Sequence, residues 1–402
     1  MRTSSQFFVS SVRAAGYRSL RAIRFPVERL SVFVGPNGAG KSNLYRALQL
    51  IQSAAAGTLA QELAAEGGMF SALWAGERKR HEPARIALWT GFGEVPGAAA
   101  SAYDYEVDVG LVPSEEVKPG DVCAYGVEVG MRRPTAAAFL LEPQIKEETL
   151  TFRHGKRTTK ILERRGPAVY ARAADGERIT LAAELMESET ALGAVSDPAQ
   201  FPDIDIIRRT VLDWRFYHGL RTDAASPLRR PCLAVTAPTL ASDGGNLAAV
   251  FATLVHIRAD TADLDRAIND AFPGAKLAVP PPEETASFGL IQPDYPRRVF
   301  AAHELSDGTL RYLALAGVLL AYRLPAFIAL NEPETSLHPD LLEPLARLIV
   351  RAAERTQIWL VTHSERLADA LGRHGNIKPL RVTKRSGETW IEGLSIAGEL
   401  TD

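Results

Sequence analysis

The chain is poor in cysteine, in net charge and in uninterrupted apolar runs. Only two cysteines, Cys123 and Cys232, occur in 402 residues. Neither a disulfide framework nor a zinc spacing can be built from them, which fits a reducing, cytoplasmic setting. No histidine partners them nearby in sequence, so a cysteine hydrolase is set aside. Lys+Arg total 46 and Asp+Glu 48, a net charge of −2. With no overall field of either sign, any attraction to a polyanion must come from local basic clusters. The longest apolar run, LALAGVLLAYRLPAFIAL, is broken by Arg323 and Pro325. It divides into a buried helix and a buried strand and falls short of the ~20 unbroken residues of a membrane span. The opening stretch MRTSSQFFVSSVRAAGYRSL lacks an apolar core and a small-residue cleavage site, so no signal peptide is expected. Heptads, repeats and low-complexity tracts are also missing, which excludes a long coiled coil.

What remains is a globular composition, 46% hydrophobic and 23% charged, long enough for one large domain or two ordinary ones. Strand and helix patterns alternate at both ends of the chain, which predicts an α/β fold with a mostly parallel sheet. Between residues 93 and 235 the pattern changes to short alternating strands with frequent glycine and proline. The expected organisation is therefore an N-terminal half, 1–92, an inserted α+β arm, 93–235, and a C-terminal half, 236–402, with an antiparallel β subdomain beside the mostly parallel sheet.

Within the first part, LSVFV leads into GPNGAGKS, and KSNLYRALQLIQSAAAG follows with helical spacing. This is G-x-x-x-x-G-K-[ST] between a strand and a helix, the context a phosphate loop requires. Glycines let successive N–H groups turn inward on phosphate oxygens, and the helix N-terminus adds positive potential. Gly35, Pro36, Asn37, Gly38, Ala39, Gly40, Lys41, Ser42 and Asn43 are the expected triphosphate-binding stretch. Lys41 would reach the β- and γ-phosphates, and the Ser42 hydroxyl would ligate Mg²⁺.

A second apolar strand, FIAL, ends in Asn331-Glu332, and a third, QIWLVT, ends at His363. In a parallel sheet such strand ends line the ligand crevice. Glu332 is then the candidate for orienting or deprotonating a water, and His363 for sensing a γ-phosphate. LSDGT, at Leu305–Thr309, should open a long helix, and by itself reads as a cap.

In this order and spacing, GPNGAGKS, LSDGTLRY, FIALNEPETSLHP and VTHS resemble the ABC-type ATPase heads of the RecF/SMC/OLD group. YRSLRAIRFPVERLSVFVGPNGAGKSNL and ASDGGNLAAV are similar to the RecF-like branch. The resemblance covers about residues 1–90 and 240–372. It implies a P-loop NTPase head whose Walker A loop is Gly35, Gly40, Lys41 and Ser42. Glu332 would be the Walker B catalytic carboxylate and His363 the switch histidine. Ser306, Asp307 and Gly308, with Arg311 after them, would be the signature touching ATP on an opposite protomer. Ser336, Leu337 and His338 would form the D-loop. The Q-loop glutamine is not assigned, with Gln52 and Gln61 as candidates.

The sequence departs from the pattern at Asn331, where such heads usually carry aspartate. Asparagine offers a neutral carbonyl oxygen to a metal-bound water and supplies less charge to a hard cation. The expectation is an ATPase that retains its catalytic acid, with weaker Mg²⁺ affinity or slow turnover.

The resemblance further implies ATP-dependent homodimerisation and duplex DNA as a partner. Candidate backbone contacts are Arg78-Lys79-Arg80, Arg153 with Lys156-Arg157, Arg164-Arg165 and Arg229-Arg230. The alternative is a regulatory ATPase paired with a separate nuclease or effector, because the stretch after His363 is too short for the Toprim nuclease of OLD-type relatives. A transporter subunit is disfavoured by the long strand-like insertion, and no membrane association is expected.

Overall fold

The computed structural model describes residues 7–77, 84–94, 102–110, 142–181, 185–258 and 261–393. Three strands open the chain, β1 (Phe8–Tyr17), β2 (Leu20–Pro26) and β3 (Leu30–Val34). Helices α1 (Lys41–Ala56), α2 (Leu59–Ala65) and α3 (Gly68–Ala72) follow. Six strands come next, β4 (Arg85–Gly93), β5 (Tyr103–Gly110), β6 (Gln144–His154), β7 (Arg157–Arg165), β8 (Ala168–Arg172) and β9 (Arg178–Leu181). Helices α4 (Ala191–Ala194) and α5 (Pro202–Leu212) precede β10 (Arg215–Tyr217) and β11 (Cys232–Leu233). Then come α6 (Leu247–Ala252), α7 (Ala262–Ala271), β12 (Lys276–Ala278), β13 (Thr285–Ala286), β14 (Gly289–Ile291) and β15 (Val299–Ala301). The chain continues through α8 (Asp307–Leu320), β16 (Phe327–Asn331), α9 (Leu342–Ala353), β17 (Gln357–Thr362), α10 (Glu365–Gly375), β18 (Leu380–Arg385) and β19 (Glu388–Ile391).

These elements form two compact units. The first comprises residues 1–28, 36–214 and 381–402, the second residues 29–35 and 215–380.

The first unit is built on an eight-stranded sheet in the order β2-β1-β4-β5-β6-β7-β8-β9. Every pairing in it is antiparallel. β1 is central to its end of the sheet, with Ala14 opposite Ile23 on one side and Leu88 on the other. Strands β5 to β9, which composition sets apart from the N-terminal strands, continue the same sheet. The expected antiparallel subdomain is thus the largest sheet and takes in β1, β2 and β4, so the parallel strands are the smaller set and not the main one. β5 shows why: Tyr103, Tyr105 and Val107 are buried while Asp104 and Glu106 are partly open to solvent, the alternation of a sheet with two unlike faces. Helix α1 is tied to α5 by Gln52, whose Nε2 donates to Val211 O at 3.2 Å and Trp214 O at 2.8 Å. Gln52 is therefore engaged in packing, and Gln61 lies exposed on α2. The β18–β19 hairpin belongs to this unit, with Thr389 N–H on Ser19 O at 2.9 Å and Arg21 paired to Glu388 at 2.8 Å.

The second unit holds the parallel strands, in the order β10-β16-β17-β3. Leu330 stands opposite Leu360, and Val361 opposite Phe33. β3 and β17 are buried along their whole length, as strands covered on both faces must be. Helix α8 is buried from Leu310 through Leu320. Such an all-round apolar helix belongs to a core, which accounts for the apolar run in the sequence. Among the described residues no helix is long and apolar enough to cross a membrane.

Candidate functional site

In the first unit, the segment after β3 turns through Pro36–Gly40 into α1. Gly38 and Gly40 take φ values of 79° and 98°, a region that excludes most side chains. Gly40 is doubly constrained, because a Cβ there would stand 1.8 Å from Thr389 Oγ1. Gly40 also opens α1 without a side-chain cap, so the first N–H groups of the helix are presented to an anion. Lys41 is buried, and its ammonium donates to Pro36 O at 2.9 Å. It curls back over the loop that would hold the phosphates. Ser42 is exposed. Asn43 points the other way: its Nδ2 donates to Ser19 Oγ at 2.7 Å, and that hydroxyl lies 2.6 Å from Thr389 Oγ1. Asn43 thus braces the loop from behind. The reason is tertiary and has no local signal in the sequence.

In the second unit, Gly35 ends β3 and its N–H donates to Thr362 O at 3.3 Å, while Glu332 N–H donates to Val361 O at 2.8 Å. These bonds align the C-terminal ends of β3, β17 and β16. Asn331, Glu332 and His363 sit at those ends, as the sequence pattern anticipates. Glu332 adopts φ 47°, an uncommon conformation for a non-glycine residue and one that clusters at functional turns. Its Oε1 lies 3.7 Å from His363 Nδ1. Asn331 Oδ1 is buried and has no hydrogen-bond partner among the described residues. A shielded, unused carbonyl oxygen at this position fits a metal-bound water or a metal ion.

Ser306 caps α8, its Oγ accepting from Thr309 N–H at 3.2 Å. Asp307 pairs with Arg229 at 2.6 Å. Arg229 also donates to Leu305 O at 2.7 Å, Thr222 O at 2.8 Å and His303 O at 3.2 Å, so it fixes the shape of the signature turn. A Cβ on Gly308 would lie 2.9 Å from Ser336 O, so glycine is what lets the signature and the Ser336–His338 turn pack together. Ser336 itself takes φ 67°. Leu337 packs against the core, and His338 caps the following turn. Arg311 points inward: it is buried, and its Nη1 donates to Leu220 O at 2.6 Å.

Among the basic clusters, Arg229 is spent on the signature turn. Arg164 is fully buried, donating to Gly166 O and Met186 O at 2.9 Å each and to Glu189 O. Neither guanidinium is available to DNA. Arg153, Lys156, Arg157 and Lys160 are exposed around the β6–β7 turn. Arg78, Lys79, Arg80 and Cys123 lie outside the described residues. Sequence reasoning missed Glu334, a buried acid two residues beyond Glu332. Its only signal is the second glutamate of NEPE, set after Pro333.

Comparison with solved structures returns the head of an SMC protein bound to the C-terminal winged-helix domain of ScpA, 15% identical, covering 97% of this chain and 98% of that one at a TM-score of 0.48. The SMC head domain from Thermotoga maritima is also 15% identical, with 97% and 100% covered and a TM-score of 0.42. The Smc head of Pyrococcus furiosus with an extended coiled coil, bound to the C-terminal domain of ScpA, is 13% identical, with 96% of each chain covered and a TM-score of 0.47. Likenesses at this level carry no argument about function. No curated protein matches the sequence. A family model described as "AAA domain, putative AbiEii toxin, Type IV TA system" matches residues 30–85 and 206–369. That match takes in the phosphate loop, the signature, the Asn331-Glu332 strand end and His363, over more than half of the sequence, and the chain belongs to this AAA-domain family.

Proposed function

We propose that the protein is an ATP-hydrolysing switch of the ABC-type RecF/SMC/OLD kind. The observation that carries the reading is the row of strand ends in the second unit, where Gly35, Glu332 and His363 are aligned by the Thr362 and Val361 carbonyls. The Walker A loop sets out in sequence from that row.

The loop residues Gly35–Ser42 enclose the triphosphate, braced by Asn43, with Lys41 leaving Pro36 O to meet the β- and γ-phosphates. Mg²⁺ would be held by Ser42 Oγ and the free Asn331 Oδ1, and when bound it neutralises charge on the phosphate oxygens. Glu332 takes the proton of the attacking water, and His363 donates a hydrogen bond to the γ-phosphate. Ser306, Asp307 and Gly308 act on the ATP of a second copy, so ATP binding drives homodimerisation. Arg311, anchored to Leu220 O, shapes the signature helix from within.

Duplex DNA is the partner this reading favours. Its support is the cation-rich turn carrying Arg153, Lys156, Arg157 and Lys160, suited to phosphate contacts without base readout. The family description, which names a toxin of a type IV toxin–antitoxin system, favours a second reading: an ATPase that controls a separate nuclease or effector in a defence system.

The test is steady-state ATP hydrolysis with and without linear duplex DNA, together with light-scattering mass in ATP. Stimulation by DNA that weakens steeply with salt supports the first reading. Hydrolysis indifferent to DNA supports the second. No hydrolysis by the wild-type protein would overturn both.

A further inference from the structure

Glu334 is a second carboxylate that the scheme above leaves unused. The left-handed turn at Glu332, closed by Thr335 N–H on Glu332 O at 3.1 Å, sends the two acids in different directions. The Glu332 side chain remains 34% exposed, and that of Glu334 only 5%.

Among the described residues, the side-chain hydrogen bonds of Glu334 converge on the end of β17. Its Oε1 accepts from Thr362 Oγ1 at 2.5 Å and from His363 N–H at 3.1 Å. The same oxygen lies 3.2 Å from His363 Nδ1, against 3.7 Å for Glu332. Oε2 is buried without a hydrogen-bond partner among the described residues. A carboxylate so enclosed needs a compensating cation. Arg311 is the buried cation on which the Glu334 charge acts, and its Nε has no hydrogen-bond partner among the described residues. Burial pulls the Arg311 pKa down, and the Glu334 charge opposes that.

We propose that Glu334 is the positioning residue for His363, accepting its Nδ1–H so that the ring orientation is fixed and Nε2 is the nitrogen turned toward phosphate. The two imidazole nitrogens are distinct, and the bond made by one decides the role of the other. A carboxylate at Nδ1 holds the Nδ1–H tautomer of the neutral ring and supports the protonated ring, and it is the protonated ring whose Nε2–H donates to the γ-phosphate. Glu332 is then released from holding the histidine and is free to act on water. The consequence for turnover rests on the hydrolysis reading, whereas the tautomer does not.

Two measurements test this. Nitrogen-15 NMR on histidine-labelled protein at about pH 8.5, where an ordinary imidazole is neutral, with His363→Ala for assignment, should show His363 as the Nδ1–H tautomer. Finding the proton on Nε2 would overturn the proposal, whether or not the protein hydrolyses ATP. For turnover, Glu334→Gln should lower kcat about 10- to 100-fold with KM for ATP nearly unchanged. Adding His363→Ala should then cost little more, as expected for residues acting as one unit. Independent, multiplying losses would contradict the assignment. If Glu334→Gln misfolds, Glu334→Asp, which keeps the charge, provides the same cycle. A wild-type protein with the Nδ1–H tautomer but no turnover would overturn the hydrolysis reading and leave the positioning intact.

Discussion

In the first unit, backbone conformation prepares a place for phosphate. Gly38 and Gly40 adopt left-handed φ values, α1 begins uncapped, and Lys41 is held back on Pro36 O. In the second unit, on the hydrolysis reading proposed above, side chains carry the chemistry. Glu332, Asn331, Glu334 and His363 gather at the ends of two neighbouring parallel strands, β16 and β17. The difference teaches which kind of change each unit tolerates. A phosphate loop is damaged by adding atoms, whereas a cluster of strand-end acids is damaged by changing charge at constant shape.

The strongest way to break that contrast is a pair of variants. Lys41→Ala should abolish ATP binding, with hydrolysis falling roughly 100- to 1,000-fold, read by calorimetry and phosphate release. Glu332→Gln should lose a comparable factor in turnover, about 100- to 10,000-fold for a general base, while ATP affinity is retained. Equal loss of binding in both variants would refute a division between holding and reacting. Gly40→Ala is the next largest. Its Cβ would collide with Thr389 and force strain at φ 98°, so thermal unfolding should show a loss of about 1–3 kcal/mol along with weaker ATP binding. Thr389→Ala, combined with it, should recover part of the stability and little of the binding.

Asn331→Asp sharpens the contrast at constant shape. Restoring a carboxylate should lower the Mg²⁺ concentration for half-maximal hydrolysis by about 10-fold, or ~1.4 kcal/mol, without moving the melting temperature of the Mg²⁺-free protein upward. The smallest effect concerns Asp108 in the first unit, which burial pushes up to about 6 from 3.8. Because its folded pKa is raised, the stability linked to its proton is present below pH 3.8 and lost as pH rises through about 6. Asp108→Asn removes that dependence. The difference in melting temperature between variant and wild type should shift in favour of the variant between these two pH values, the Arg85 ion pair being already part of the folded-state pKa because only ionised Asp108 makes it.

Much of the second unit can be read from sequence because its signals are short-range. LSVFV, FIAL and QIWLVT are continuous apolar runs bounded by polar ends, and each is a strand of the parallel sheet. The first unit is less legible. β1 lies between β2, a hairpin partner, and β4, which follows three helices. Alternation marks each strand but gives no partner, which is why antiparallel strands are legible in the sequence and their union with β1 and β2 in one eight-stranded sheet is not. Individual side chains obey the same rule. Lys41, Glu332 and His363 stand at motif positions. Glu334 acquires its meaning only from Thr362 and His363, 28 and 29 residues away. Arg164 and Arg311 are cations in the sequence and buried supports in the fold, and Arg229 is a half-buried one, because an arginine's destination depends on the carbonyls that surround it.

The sequence by itself determined that a strand is followed by a glycine-rich turn, a lysine and a helix, since that motif acts through its own backbone. It also determined the order of signature, acid pair and histidine. The tertiary structure alone decided that Thr389, near the far end of the chain, closes over Gly40, and that Glu334 rather than Glu332 lies nearer to His363. Both are contacts between residues distant in sequence, and no local pattern encodes a distance that only folding sets.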